Sequence, residues 1–111
     1  MATKEVKFES GSDILLSTSV LILDKIAAIL KDYPHYHIDI KGHTDGRGKA
    51  EANQKLSELR AGACYNYFIK KGIKTQRMAY KGFGETKSIA SNETMKGRKM
   101  NRRVEFILTI K

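Results

Sequence analysis

The spacing of apolar residues changes repeatedly along this chain, and these changes limit the folds that it can adopt. Apolar side chains recur at intervals of three and four residues at Leu16, Val20, Leu23, Ala27 and Leu30. This period predicts a helix over residues 14–30 with one buried face. Short segments before and after it, Val6–Phe8 and Tyr36–Ile40, alternate apolar and polar residues as half-buried strands do.

The rest of the chain repeats this order of elements. A second helix is predicted from Ala50 to Lys71, followed by Gly72, the residue that a left-handed C-cap favours. Strands are predicted at Arg77–Tyr80 and Arg102–Ile110, with a long loop containing a short helical turn over residues 88–101. The order β-α-β-α-β-loop-β predicts an α/β sandwich of the α+β class, in which two main helices pack on one four-stranded mixed sheet.

The length of 111 residues fits a single domain, 1–111. We expect the polar residues 1–5 to be disordered or foreign to that domain. The longest apolar run, Val20–Leu23, is too short to span a membrane, and the N-terminus carries no apolar signal segment. The chain is therefore either cytosolic or an excised domain whose export signal lies upstream.

The balance of charge is strongly basic, with 21 Lys and Arg against 12 Asp and Glu, a net charge of +9. Such a charge favours anionic partners, namely nucleic acid, acidic membrane surfaces or carboxylate-rich polymers. Positive residues are concentrated locally at Lys96, Arg98, Lys99, Arg102 and Arg103. A solvated basic surface accounts for most of them. The single cysteine, Cys64, excludes an internal disulfide and is interpreted as a small packed side chain.

A glycine-rich loop, Gly42–Gly48, joins the second predicted strand to the second predicted helix. Asp45 lies in this loop, and Arg60 projects from the helix. Such a pair can hold a zwitterion, with Asp45 on an ammonium group and Arg60 on a carboxylate. Equally, the two side chains can bridge one another. The loop lacks the GxxxxGK[ST] and GxGxxG patterns, so nucleotide binding is unsupported.

A helical wheel gives the second helix a polar stripe beside its buried stripe. At 100° per residue, a set of polar or small side chains falls within about 60°: Asn53, Ser57, Arg60 and Cys64. The adjoining edge carries Leu56, Ala63 and Tyr67, which we expect to pack on the sheet. Asn, Ser and Arg are side chains that orient a ligand through hydrogen bonds, so the polar stripe is a candidate extension of the Asp45 site.

Several short blocks follow one another between residues 6 and 110. They are Gly42-His43-Thr44-Asp45, Asn53-x-x-Leu56-Ser57-x-x-Arg60-Ala61, Gly72-Ile73, Gly82-Phe83-Gly84-Glu85, Ser91-Asn92-x-Thr94, Gly97-Arg98 and Asn101-Arg102-Arg103-Val104-Glu105-Phe106. In order and approximate spacing these blocks closely resemble the OmpA-like domain, the peptidoglycan-binding domain also called OmpA/MotB C-terminal or Pal-type. The chain departs from that pattern at Phe83, where tyrosine is common, and at Ser88, where a proline is frequent.

The resemblance implies a non-enzymatic module without a cofactor, in the periplasmic part of an outer-membrane or envelope protein. It implies non-covalent binding of peptidoglycan, with Asp45 on the free ammonium of diaminopimelate and Arg60 on the carboxylate of the same carbon. Further ligand contacts are expected from Thr44, Asn53, Leu56 and Ser57, from backbone N–H groups of Ser10, Gly11 and Ser12, and from Arg102 or Arg103. A membrane link is expected only through a parent segment absent from this sequence, and a homodimer is left open.

Three other functions compete with this interpretation. A nucleic-acid or other polyanion-binding module would use the basic charge, but no nucleic-acid motif accompanies it. A glycan hydrolase needs two carboxylates at a defined separation, and Asp39, Asp45, Glu51 and Glu58 are candidates only by proximity in sequence. His35 and His37 form a His-x-His pair near His43, yet no well-spaced third ligand completes a metal site, and none is predicted.

Overall fold

The computed structural model describes Leu15 and residues 17–110. Its elements in chain order are α1 Ser17–Asp32, β1 Tyr36–His43, α2 Ala50–Lys70, a 3₁₀ turn Thr75–Arg77, β2 Met78–Gly82, α3 Met95–Asn101 and β3 Arg103–Ile110. The helical turn predicted within the long loop is α3. The predicted strand at Val6–Phe8 and the segment Ser10–Ser12 lie outside the described residues.

The described strands form one mixed sheet of three strands in the order β2-β1-β3. β1 lies in the middle, parallel to β2 and antiparallel to β3. Because two parallel strands need a crossover between them, α2 connects the end of β1 to the start of β2. The predicted α+β class and mixed sheet are confirmed. The fourth predicted strand is the one that falls outside the described residues.

The core fills the space between one face of the sheet and the two long helices. Ile40 of β1 lies opposite Phe106 of β3, and both side chains are fully buried. The helices contribute the buried side chains of Leu23, Ile26, Ala27 and Leu30 from α1, and of Ala61, Cys64 and Phe68 from α2. The apolar period predicted for α1 therefore identifies its buried face correctly.

α2 buries a different face from the one that the helical wheel predicted. The prediction placed Leu56, Ala63 and Tyr67 on the sheet. The buried residues are instead Ser57, Ala61, Gly62, Cys64 and Phe68. Ser57 and Cys64, which the wheel assigned to the polar stripe beside the buried one, thus face the interior. The predicted buried face of α2 was therefore wrong, because the observed face is rotated from it by part of a helical turn.

Two glycines at the ends of neighbouring strands explain this face of α2. A Cβ atom at Gly42 would overlap the carbonyl group of Ser57, and a Cβ atom at Gly82 would overlap the backbone nitrogen of Glu58. The backbones of helix and sheet therefore approach each other closely at this end. Only a small side chain fits between them, so a serine occupies a position that hydrophobicity alone would assign to a larger residue.

The ends and lengths of the helices follow simple rules. α2 ends at Lys70, and Gly72 follows with φ of 91°, the left-handed conformation predicted for it. None of the helices within the described residues combines the length and the apolar character needed to cross a bilayer.

Candidate ligand-binding site

Asp45 lies just beyond the C-terminal end of β1, in the loop that leads to α2, and is only 6% exposed. Its Oδ1 accepts a 2.9 Å hydrogen bond from the backbone N–H of Arg47. Its Oδ2 accepts a 2.5 Å hydrogen bond from the guanidinium group of Arg102. The first bond closes a local turn, and the second ties the loop to the residue before β3. Together they fix the orientation of the carboxylate.

The Asp45 carboxylate is ionised in spite of its burial. Burial alone would raise the pKa of Asp45, but the backbone N–H of Arg47 and the guanidinium group of Arg102 lower it below the ordinary value for aspartate. The nearby Arg47 side chain acts in the same direction. The group is therefore a permanent negative charge at neutral pH. It can bind a cation but has no proton to donate.

Two polar side chains hold the loop around Asp45. Asn53, in the first turn of α2, donates hydrogen bonds to the carbonyl of Arg47 at 2.8 Å and to that of Asp45 at 3.3 Å. The hydroxyl of the buried Thr44 donates to the Asp45 carbonyl at 3.0 Å, and the Thr44 N–H donates to the carbonyl of Gly84 at 2.8 Å. The structure thus brings both predicted residues to Asp45, where they fix its backbone.

Ser57 is a correction to the predicted set of ligand contacts. Its side chain is fully buried. The hydroxyl donates to the carbonyl of Gln54 at 2.8 Å and accepts from the N–H of Gly84 at 2.8 Å. A ligand has no access to this group because α2 and the segment after β2 enclose it. Ser57 joins those two parts of the fold.

Asn53, Leu56 and Arg60 form a stripe along α2, at intervals of three and four residues. All three side chains are half-buried. The stripe begins at the Asp45 loop, because Asn53 is hydrogen-bonded to that loop. It presents an amide, an apolar side chain and a guanidinium group in succession. We name these residues the α2 stripe.

Arg103, the other arginine predicted near the ligand, has different partners from Arg102. Its Nε donates to Oε2 of Glu105 at 2.8 Å, and its two terminal nitrogens donate to the carbonyls of Asn101 at 3.2 Å and Lys87 at 2.9 Å. The other oxygen of Glu105 lies 3.2 Å from Nε2 of the buried His43. Burial lowers the pKa of His43, and the positive charge of Arg103 adds to that effect. Arg102 alone of the two arginines contacts Asp45.

Two asparagines that sequence reasoning did not assign to the site support the Asp45 loop. Asn101 is fully buried and makes four hydrogen bonds of 2.8–3.0 Å, to the backbone of residues 89–90 and to the side chain of Asn92. Asn92 Oδ1 in turn accepts from the N–H of Gly46 at 3.0 Å. A Cβ atom at Gly46 would lie 2.7 Å from Asn92 Nδ2, so a larger residue there would displace the Asn92 amide. The only signal in the sequence was their position in the two blocks that contain them.

Within the described residues, no three His, Cys, Asp or Glu side chains are close enough together to hold a metal ion. The charged groups in ion pairs at Asp45 are its own buried carboxylate and the guanidinium groups of Arg47 and Arg102. Arg60 extends this series along α2. Such a set suits an organic ligand that carries both an ammonium group and carboxylates.

Comparison with known proteins agrees with this architecture. The chain is 36% identical over 104 residues to the probable lipoprotein YiaD of Escherichia coli, covering 94% of this chain and 48% of that protein. The chain thus spans about half of that relative. Among solved structures, the peptidoglycan-associated lipoprotein of Burkholderia pseudomallei superimposes with a TM-score of 0.82 at 29% identity, over 93% of this chain and 86% of that one.

A periplasmic domain of MotB from Helicobacter pylori gives a TM-score of 0.80 at 26% identity, over 95% of this chain and 71% of that one. The sequence profile of the OmpA family matches residues 7–102, which include β1, α2, β2, α3 and the Asp45 loop. The chain is therefore a member of the OmpA family.

Proposed function

We propose that this chain binds peptidoglycan non-covalently through the diaminopimelate residue of the stem peptide. It is a periplasmic domain of an outer-membrane or envelope protein, which it anchors to the cell wall. Its relationship to the peptidoglycan-associated lipoprotein and to the periplasmic domain of MotB supports this function. The observation that carries the proposal is Asp45, a buried and ionised carboxylate at the start of the α2 stripe.

In the proposed complex, Asp45 binds the free ammonium of diaminopimelate, and Arg60 binds the carboxylate on the same carbon. An ionised carboxylate has about four lone-pair positions, and the Arg47 N–H and Arg102 hydrogen bonds occupy two of them. Among the described residues no other group donates to this carboxylate, so we assign the remaining positions to the ammonium group. Leu56 forms an apolar wall against the methylene chain of the ligand.

The other residues predicted to contact the ligand have different roles in the proposed complex. Thr44 and Asn53 hold the loop backbone with the hydrogen bonds described above, so we assign them to the shape of the site. Arg102 holds Asp45. Backbone contacts from Ser10, Gly11 and Ser12 stay a prediction, since that segment lies outside the described residues.

The same geometry favours binding over hydrolysis. A glycan hydrolase needs one carboxyl group that is protonated at its working pH, whereas the pKa of Asp45 is lowered. Asp39 is exposed on β1, and it alternates with the buried Ile38 and Ile40, so it lies on the face opposite the core. We therefore propose a non-enzymatic module.

The alternative function is binding of nucleic acid or another polyanion. It is disfavoured because basic residues that it would use already interact with groups of the protein itself. Arg98 donates to the carbonyl of Asn92 at 2.9 Å, and Arg102 and Arg103 pair with Asp45 and Glu105. These three residues are the arginines of the basic concentration found in the sequence. Polyanion binding should weaken steeply and uniformly with salt. Binding through Asp45 should persist at physiological ionic strength.

The test is co-sedimentation of the purified domain with insoluble cell wall that contains diaminopimelate. We expect the wild-type domain in the pellet and the variants Asp45→Asn and Arg60→Gln in the supernatant. Losing one partner of a desolvated charge pair costs about 2–5 kcal/mol, enough to abolish a modest affinity. Asp39→Asn and Lys55→Gln are matched controls, because each makes the same change of charge at an exposed position.

Each part of the proposal can fail separately in this experiment. Wild-type protein that stays wholly in the supernatant, even at low salt, would refute wall binding. Retention of both Asp45→Asn and Arg60→Gln in the pellet would keep wall binding and reject the site. Release of soluble fragments from labelled wall would overturn the non-enzymatic assignment.

A further inference from the structure

Two guanidinium groups compete for one oxygen of Asp45. Arg102 donates a hydrogen bond to Oδ2 at 2.5 Å, and Nε of Arg47 lies 3.7 Å from the same atom. The second distance is too long for a hydrogen bond. The Arg47 side chain is 67% exposed, against 37% for that of Arg102. Arg47 is thus the weaker and more accessible of the two partners.

The backbone of Arg47 is fixed although its side chain is not. Its N–H donates to Asp45 Oδ1 at 2.9 Å, and its carbonyl accepts from Asn53 at 2.8 Å. Among the described residues, its guanidinium group has no partner other than Asp45. The guanidinium is therefore held at the edge of the site by the loop, and a weak attraction through water is all that directs it to the carboxylate.

An ammonium group bound to Asp45 changes this balance. It would bring a third positive charge to a carboxylate that already faces Arg47 and Arg102. The ammonium takes a position that no hydrogen bond uses, and its charge weakens the attraction between Asp45 and the Arg47 guanidinium, which can turn away without breaking a hydrogen bond. After it leaves, Arg47 is an unpaired cation directly beside the ligand. A ligand with an additional carboxylate would stabilise it there.

We propose that Arg47 is a specificity residue that recognises a second carboxylate of the ligand. The inference rests on the function proposed above, in which Arg60 takes the carboxylate next to the ammonium. It extends that function by predicting that the site prefers ligands with more carboxylates than ammonium groups. Stem peptides whose carboxylates are free are then bound more tightly than stem peptides in which they are amidated.

The test compares two synthetic peptides by calorimetry with the purified domain at physiological salt. The first is N-acetyl-L-Ala-γ-D-Glu-meso-diaminopimelate with every carboxylate free. The second is the same peptide with amides at the two carboxylates remote from the ammonium. For the wild type we expect the free acid to bind about one-and-a-half- to fivefold more tightly, the range for an exposed ion pair.

The variant Arg47→Gln should bind both peptides with equal affinity, because it keeps the fixed backbone and loses the guanidinium. Lys49→Gln is the matched control, since it removes one exposed positive charge two residues further along, at the start of α2, and should retain the wild-type preference. A preference that is absent from the wild type, or undiminished in Arg47→Gln, overturns the assignment of Arg47.

The same titrations separate this inference from the proposed function. If Asp45→Asn loses both peptides while Arg47→Gln keeps the wild-type preference, the function stands and only the role of Arg47 is rejected. If the wild type binds neither peptide, both the function and this inference are rejected.

Discussion

Arg102 donates a hydrogen bond to Oδ2 of Asp45, and this bond joins the residue before β3 to the loop after β1. We expect Arg102→Gln to raise the pKa of Asp45, because it removes both the hydrogen bond and the charge of the guanidinium. The loss of stability should be about 1–2 kcal/mol, reduced from the usual range by the exposure of Arg102. NMR titration of the Asp45 carboxyl carbon and chemical denaturation measure the two effects. Arg103→Gln is the comparison, and a larger change in the Asp45 pKa for that variant would contradict the assignment.

The ionisation of Asp45 should make stability and ligand binding depend on pH. The pKa of Asp45 in the folded state lies below the ordinary value for an aspartate. Its contribution is therefore complete above the unfolded-state pKa of about 3.9 and is lost as the pH falls through the folded pKa. We expect wall binding to be nearly constant from about pH 7 to pH 5 and to decline as the pH falls through the lowered folded pKa of Asp45. The stability of Asp45→Asn, measured over the same pH range, should not show the loss at low pH that Asp45 causes. An equal loss of stability at low pH in the wild type and the variant would exclude Asp45 as its source.

Ser57 should matter for stability and not for recognition. Ser57→Ala leaves the N–H of Gly84 without its acceptor, which costs about 1–3 kcal/mol. Ser57→Val should cost more, because a Cβ atom at Gly82 would already lie 2.5 Å from the Ser57 hydroxyl and the space is full. Thermal unfolding gives these values, and peptide calorimetry below the unfolding transition should give wild-type affinity for Ser57→Ala. Selective loss of affinity without loss of stability would restore Ser57 to the ligand site.

Asn101 should act on the site from a distance. Asn101→Ala removes four hydrogen bonds and leaves a cavity, so we expect a loss of about 3 kcal/mol or more in the free energy of unfolding. Because Asn101 holds Asn92, and Asn92 holds Gly46, the Gly46 amide should exchange its hydrogen faster in this variant. Asn101→Asp keeps the acceptor and loses both donors, so the contact with Asn92 is broken there as well. Unchanged exchange at Gly46 in both variants would show that the loop is positioned by other contacts.

The elements of this fold were predictable wherever a regular apolar pattern and a clear end signal coincide. Alternation identified β1 and β3, and Gly72 marked the end of α2 with the conformation expected of it. The phase of α2 was not predictable from hydrophobicity. Its buried face is set by the close approach of two backbones at Gly42 and Gly82, and the serine that fits there looks polar on a helical wheel.

The candidate site was predictable at its centre and less so around it. Asp45 was identified by its position after a strand, and its contacts with Thr44 in the loop and Asn53 in the first turn of α2 followed the sequence order. The separate roles of Arg102 and Arg103 depend on which face of the strand each side chain lies on and which loop it contacts. The sequence does not show this, because the two neighbouring residues are identical. Asn92 and Asn101 act through long-range hydrogen bonds between amides, which no local pattern reveals.

The position of Asp45 just beyond the end of the central strand has a mechanical consequence for a domain that we propose to be an anchor. A load applied to a ligand held at Asp45 in the direction of β1 passes first into that strand. The ladders that join β1 to β2 and to β3 run on both sides of it, and their hydrogen bonds lie across the direction of pull. They are therefore strained together in shear and do not open one after another. The strength of such an attachment under tension depends on the two ladders as much as on the pocket that holds the ligand.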